Sequence, residues 1–378
     1  MNRWLWLVML NLVIGNSPSL ADEPIRPRSE PPEIVSSWDD LTNGVHSKED
    51  WAGRRELLHK RFLDLIRDQH KPAKPPLDLK IHETVEVPEG YTRQLISYAV
   101  ETDERAHAYL AIPKRPAGDT SKLPAIVALH GTFPQGIEQA AGLVDDATKA
   151  HLHHLVQQGY VVIAPEHFVS GRRIPPEGAY DTTLFHQKHP EWTAVGKFTF
   201  EHSIAIDVLE TLDVVDKERI GAMGHSLGGQ GTIFLSAYDT RVKAAMDNCS
   251  AAFFRHNAGV LHWSRDHWYV YFKHIRPKLL EGQLPPIDFH EVMALSAPRA
   301  FLDVSGINDG QRLTQKQRVL MLLKVADVYE LLGVPQNFEF FVHQRGHSVP
   351  IETRALMVAF FDAHLKPKEA TEAKRVAD

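Results

Sequence analysis

Two hydrophobic rhythms divide the chain. Trp51, Leu58, Phe62, Leu65 and Ile66 recur at helical spacing and share one face. Ser47, with Asp50 three positions on, stands in front of them as a helix-start signature, and the Pro-rich stretch 71–76 ends the helix. Segments 81–87, 91–99 and 106–112 then read as strands, and the turn at 101–104 predicts that the last two form a hairpin. From residue 123 the pattern changes to short apolar runs at 125–129, 161–164, 219–223, 242–246, 300–304 and 338–342, separated by helical stretches. Runs of that kind suit strands buried on both faces. The pattern predicts an α/β fold: a mostly parallel central sheet covered by helices on both faces, with an N-terminal helical and β-hairpin extension. One segment, about 249–297, is long, aromatic and histidine-rich, and reads as a cap-like insertion between two core strands. The sequence has no internal repeat and no low-complexity tract.

The ends differ from this body. Arg3, the apolar run 4–14 and the small residues ending at Ala21 have the three parts of a signal peptide, with cleavage expected after Ala21. The apolar run is shorter than the ~20 residues of a spanning helix, so a secreted or periplasmic protein without a stable membrane anchor is expected. Residues 22–80 read as a Pro-rich, charged linker followed by the first helix, 81–367 as the main domain, and 368–378 as a polar tail. The chain holds 42 basic and 48 acidic residues, a formal charge of -6, mixed along its length, which gives no footprint for nucleic acid. Cys249 is the single cysteine, so an intrachain disulfide and a cysteine-type zinc cluster are both excluded.

The strand-like 219–223 leads into Gly224-His225-Ser226-Leu227-Gly228-Gly229 and then a helix-compatible stretch. This is G-x-S-x-G in the strand–turn–helix setting that exposes a serine on a strained turn, and it marks Ser226 as the candidate nucleophile. Side chains at the flanking glycines would collide with the neighbouring strand or helix. The Leu227 N–H, at a helix N-terminus, is one candidate oxyanion donor.

A serine hydroxyl needs a base, and the base needs a carboxylate to hold its tautomer. Chain order on such an elbow is serine, acid, histidine. His347, in the loop after the last strand, is the candidate base; His343, at the strand's end, is its competitor among 22 histidines. Gly346 is read as giving that loop the freedom to swing. Asp309, in the loop after 300–304, is the candidate acid, with Asp303 inside the strand as the alternative. The strand 125–129 ends in His130-Gly131-Thr132, and the Thr132 N–H is the second candidate oxyanion donor, with His130 structural. His151, His153 and His154 lack a carboxylate at matching spacing and read as surface residues, so neither a metal nor another cofactor is expected. The aromatic run 262–272 suits either stacking on a sugar ring or packing within the insertion.

From about 81 to 365 the chain resembles bacterial α/β-hydrolases of the dienelactone-hydrolase and acetyl-xylan-esterase type, and is similar to the catalytic domain of prolyl oligopeptidases. The matching pieces are 108–113, Leu129-His130-Gly131, the 224–229 elbow, Ala297-Pro298-Arg299 and Gly346-His347. The resemblance implies an α/β-hydrolase fold and hydrolysis of carboxylic esters, with a small molecule or acylated carbohydrate as partner. The chain departs from dienelactone hydrolase in having a serine nucleophile. It departs from glucuronoyl esterases in having Leu227 where an arginine is typical. It also lacks the length for the oligopeptidases' propeller. A small secreted serine peptidase and a non-catalytic binding protein are the alternative readings.

Overall fold

A computed structural model describes residues 41–366 except 145–146, 252–253, 255–261 and 310–314. All of them lie within one compact unit. The expected signal peptide, the linker before residue 41 and the tail after 367 lie outside the described residues. No helix among the described residues is long and apolar enough to cross a membrane.

In chain order the helices are α1 (Lys48–Ile66), α2 (Ile137–Ala140), α3 (His151–Val156), α4 (Thr183–Lys188), α5 (Ala194–Glu210), α6 (Leu227–Tyr238), α7 (Arg276–Leu280), α8 (Phe289–Ala294), α9 (Gln315–Leu331) and α10 (Ile351–Leu365). The strands are β1 (Lys80–Val87), β2 (Tyr91–Glu101), β3 (Glu104–Pro113), β4 (Leu123–Leu129), β5 (Val161–Pro165), β6 (Val215–His225), β7 (Val242–Asn248), β8 (Ala300–Gly306) and β9 (Phe338–His343).

The nine strands form one sheet in the order β1-β2-β3-β5-β4-β6-β7-β8-β9. The hairpin strands β1 to β3 pair antiparallel, and β3 hands over antiparallel to β5; every later pairing is parallel. Parallel neighbours leave their C-terminal ends along one edge. That edge collects the loops after β4, β6, β8 and β9, which hold the candidate residues.

Local signals explain the flanking helices. The Ser47 side chain accepts from the Asp50 N–H at 3.0 Å while the Asp50 carboxylate accepts from His46 N–H at 3.0 Å, closing the start of α1. The predicted stripe of α1 is buried, and Phe62 stacks on Phe234 of α6 at 6.1 Å. The extension therefore braces the helix that begins beside Ser226. Between β7 and β8 the aromatic side chains pack on one another: Trp263 lies 4.6 Å from Tyr271 and 5.0 Å from Phe289, and Phe289 lies 5.5 Å from Phe234. Trp263, Tyr269, Tyr271 and Phe272 are buried. Of the two roles open to that aromatic run, these four serve packing.

One expectation fails in α3. His151 is buried, and His153 and His154 are half-buried rather than surface residues. The helix lies against the sheet, so its inward phase takes His151 with Leu152, Leu155 and Val156. His153 meets the Tyr91 hydroxyl at 2.9 Å, and His154 the Ala147 carbonyl at 2.8 Å.

Candidate active site

β6 ends at His225 and α6 begins at Leu227, so Ser226 alone makes the turn, at φ 58° and ψ -120°. A residue with a Cβ adopts that conformation only when its surroundings hold it there. Ser226 N–H donates to the Asn248 carbonyl at 2.9 Å, and Gln230 N–H to the Ser226 carbonyl at 2.9 Å. A Cβ at Gly224 would run into the Gly228 backbone, one at Gly228 into the Leu129 carbonyl, and one at Gly229 into Ser250. The elbow glycines thus let β6, α6 and the end of β4 close around the serine.

His347 Nε2 lies 2.8 Å from Ser226 Oγ, and its Nδ1 lies 3.0 Å from Asp309 Oδ2. The carboxylate can only accept, so Nδ1 carries the proton and the Nε2 lone pair faces the hydroxyl. The imidazole is partly open, with 38% of its side chain exposed against 7% for Asp309. Burial alone would raise the Asp309 pKa; the hydrogen bond and charge of His347, with Arg318, outweigh it and hold the carboxyl below its usual range.

The loops that carry Asp309 and His347 are joined backbone to backbone. Ile307 N–H donates to the His343 carbonyl at 2.8 Å, Asn308 N–H to Arg345 at 3.2 Å, and Asn308 Nδ2 to Gln344 at 2.9 Å. Gly306 makes this approach possible, because a Cβ there would strike the Gly346 carbonyl. Gly346, expected to free the loop, has no left-handed φ, and a Cβ there would make only ordinary contact at 3.6 Å. The required glycine is therefore Gly306.

The competing residues are placed elsewhere. His343 is buried; its Nδ1 accepts from Arg345 N–H at 3.2 Å and its Nε2 lies 3.9 Å from Cys249 Sγ. Asp303 is wholly buried in β8 opposite Asp247 of β7, and accepts from the Ser305 hydroxyl at 2.7 Å.

Gly131 brings the loop after β4 against the elbow: a Cβ there would lie 3.3 Å from the His225 carbonyl and 3.6 Å from Ser226 Cβ. Thr132 follows, half-buried, and its N–H meets no protein acceptor among the described residues. Leu227 is the first residue of α6, whose opening amides have no partner inside the helix.

Sequence reading left Tyr180, His167 and His225 unmarked and took His130 as structural without its partners. The Tyr180 hydroxyl accepts from Phe133 N–H at 2.7 Å and lies 2.9 Å from the Phe133 carbonyl and 3.2 Å from that of Gly131, pinning both sides of Thr132. His130 Nε2 accepts from His167 N–H at 3.1 Å, so its Nδ1 carries the proton toward the Gly131 carbonyl at 2.7 Å. Burial pulls His130 down to about 4, which keeps this ring neutral. His225 packs its ring 4.7 Å from that of His347 and bonds the Asn248 side chain at 2.6 Å. Burial, with the neighbouring His347, holds it well below the usual imidazole range. These contacts link residues far apart in the chain, and the adjacent pair His225-Ser226 is the one local clue.

Residues 106–249 match the dienelactone hydrolase family. The Bacillus subtilis (strain 168) protein YtaP is 25% identical over 303 residues, covering 78% of this chain and 93% of YtaP. Carbohydrate esterase MZ0003, from an unknown prokaryotic organism, is 31% identical over 153 residues, covering 38% of this chain and 34% of that protein. Among solved structures, a glucuronoyl esterase from Solibacter usitatus superposes with a TM-score of 0.69 at 19% identity, covering 88% of this chain and 98% of the other. That likeness is one of fold. The matched segment spans the loop after β4 and the elbow, and the sheet around it is mostly parallel, as the apolar runs predict. The chain has the α/β-hydrolase fold, and its residues 106–249 are similar to the dienelactone hydrolase family.

Proposed function

We propose that this chain is a secreted serine carboxylic-ester hydrolase acting on acylated carbohydrate or a similar small ester. The observation that carries the reading is the unbroken chain Ser226 Oγ–His347–Asp309, at 2.8 and 3.0 Å, with the serine held on its turn. His347 Nε2 takes the hydroxyl proton as Oγ attacks the ester carbonyl, and Asp309, kept ionised, stabilises the imidazolium that results. The Leu227 and Thr132 amides face the oxygen that becomes negative. His347 then returns the proton to the leaving alcohol, and water, activated by the same ring, releases the acyl group. The carbohydrate part of the reading draws on the name of MZ0003 and on the sequence resemblance. The secreted part rests on residues 1–21.

The test is labelling of the purified protein by a fluorophosphonate, comparing wild type with Ser226→Ala, alongside turnover of acetylated sugars, p-nitrophenyl esters and aminoacyl anilides. Labelling confined to wild type, with esters preferred, is expected. A well-folded wild type that takes no label sinks the reading, and preference for anilides turns it into a peptidase.

A further inference from the structure

A third side chain shares the space of the acid and the base. Cys249 follows directly on β7 and is 6% exposed. Its Sγ lies 3.6 Å from the Ser348 carbonyl and 4.0 Å from that of Gly346. The ligand atoms of Cys249, Asp309 and His347 all lie within 4.8 Å of one another. The ends of β7, β8 and β9 thus deliver one sulfur, one carboxylate oxygen and one imidazole nitrogen to a single point.

That donor set selects among cations. Mg²⁺ and Ca²⁺ take oxygen ligands, whereas thiolate with imidazole suits Zn²⁺ and its borderline-soft neighbours. In a tetrahedral zinc site of usual bond lengths, neighbouring ligand atoms stand about 3.5 Å apart. Three atoms within 4.8 Å of one another exceed that spacing by about 1.3 Å at most. The His347 side chain is 38% exposed, so solvent is at hand to fill a fourth position.

We propose that Cys249, Asp309 and His347 form an inhibitory site for zinc-class divalent cations, which switches off the enzyme by capturing its base. The effect on turnover rests on the esterase reading; the binding does not. As the ion binds, the Cys249 thiol gives its proton to solvent and sulfur bonds the metal. The Nδ1 proton of His347 leaves as that nitrogen bonds the metal, and the ring stays neutral by taking a proton on Nε2. One proton is released per ion, one is relocated, and nothing is oxidised. The ring then presents N–H, not a lone pair, to Ser226 Oγ, and the Asp309 carboxylate is tied to the metal.

Zinc titrations of ester turnover should be run on the whole chain as wild type, Cys249→Ala and Cys249→Ser, with Co²⁺ absorption spectra of wild type and Ser226→Ala. Wild type should be inhibited reversibly, with EDTA restoring turnover. Losing an outer-shell partner alone weakens a metal site by about 10–100-fold, so each Cys249 variant should need at least about tenfold more zinc. Cobalt should give a thiolate-to-metal charge-transfer band in wild type and in Ser226→Ala, lost in the Cys249 variants. Equal zinc sensitivity of wild type and folded Cys249 variants, or no thiolate band in wild type, overturns the proposal. If the Cys249 variants do not fold, the wild-type cobalt spectrum decides. The band in Ser226→Ala tests the site even if the chain proves to have no esterase activity.

Discussion

Tyr180→Phe removes one oxygen from the wall of the site and nothing from its packing. The ring sits 5.8 Å from that of His167, 6.3 Å from Trp268 and 6.0 Å from Tyr269, and phenylalanine preserves these contacts, so no cavity opens. What is lost is the acceptor for Phe133 N–H and the donor that serves the Phe133 and Gly131 carbonyls. An unsatisfied donor of this sort costs about 1–3 kcal/mol, and the melting temperature should fall by a few degrees. The larger effect is on rate. Removing an oxyanion donor outright costs about 10²–10³ in kcat, which bounds the effect of loosening the loop that carries Thr132. Turnover of p-nitrophenyl acetate should therefore fall in kcat by roughly tenfold to a hundredfold with KM little changed, because the amide acts on charge present only in the transition state. Steady-state kinetics beside a thermal melt reads both effects. A variant that melts lower yet keeps the wild-type kcat would refute the reasoning and leave Tyr180 a structural hydroxyl.

Asp309→Asn should lower kcat by about 10³–10⁴, because the amide donates to Nδ1 and forces the proton onto Nε2; wild-type turnover by this variant would assign the acid elsewhere. Asp303→Asn should keep kcat within the same order of magnitude, and a collapse of activity in a folded variant would contradict the placement of the acid. Gly228→Ala should give little folded protein, because its Cβ meets the Leu129 carbonyl, whereas Gly131→Ala should fold with slowed turnover; soluble yield and circular dichroism distinguish them. Burial raises the Glu166 carboxyl from 4.5 to about 6, against the Arg172 charge. Between those values the folded chain holds a proton that the unfolded chain releases, so this group's contribution falls as pH rises through the window, by about 2 kcal/mol at most. Denaturant melts should show wild type losing stability relative to Glu166→Gln from pH 4.5 to 6 and staying level above; parallel profiles would count against it.

The sheet was legible because its strands are short apolar runs buried on both faces, a pattern that needs no tertiary information. Where polarity interrupts a run, legibility ends: β6 starts at Val215, but Asp216 to Arg219 hide its first residues behind charge. The elbow and the histidine loop were legible because each has a local marker. Tyr180 and His167 had none, and His130, read as structural from its strand end, had no marker for its partner, since these contacts arise when the loops after β4 and β5 meet 37 to 49 residues apart. The same limit explains Gly346 and Gly306. Both flank candidate residues in sequence, and only the approach of two loops decides which of them cannot bear a side chain.

The two aspartates near the end of β8 show how position within one strand and loop divides a residue type between roles. Asp303 faces Asp247 across the sheet, where burial, compounded for Asp247 by its neighbour's charge, pushes both carboxyls above their usual range. Two ionised carboxylates cannot share that space, so the pair holds a proton, fed by hydroxyls from Ser250 and Ser305, the latter bonded by Arg318. Asp303 stays wholly buried in β8, bonded by Ser305, and it is Asp309 that bonds His347. Asp309, six residues on, leaves the sheet by just enough to meet His347 while staying close to Arg318's charge, and its pKa moves in the opposite direction. Environment thus sorts the candidates in the way the chemistry requires: the carboxyl held below its usual range is the one that bonds His347.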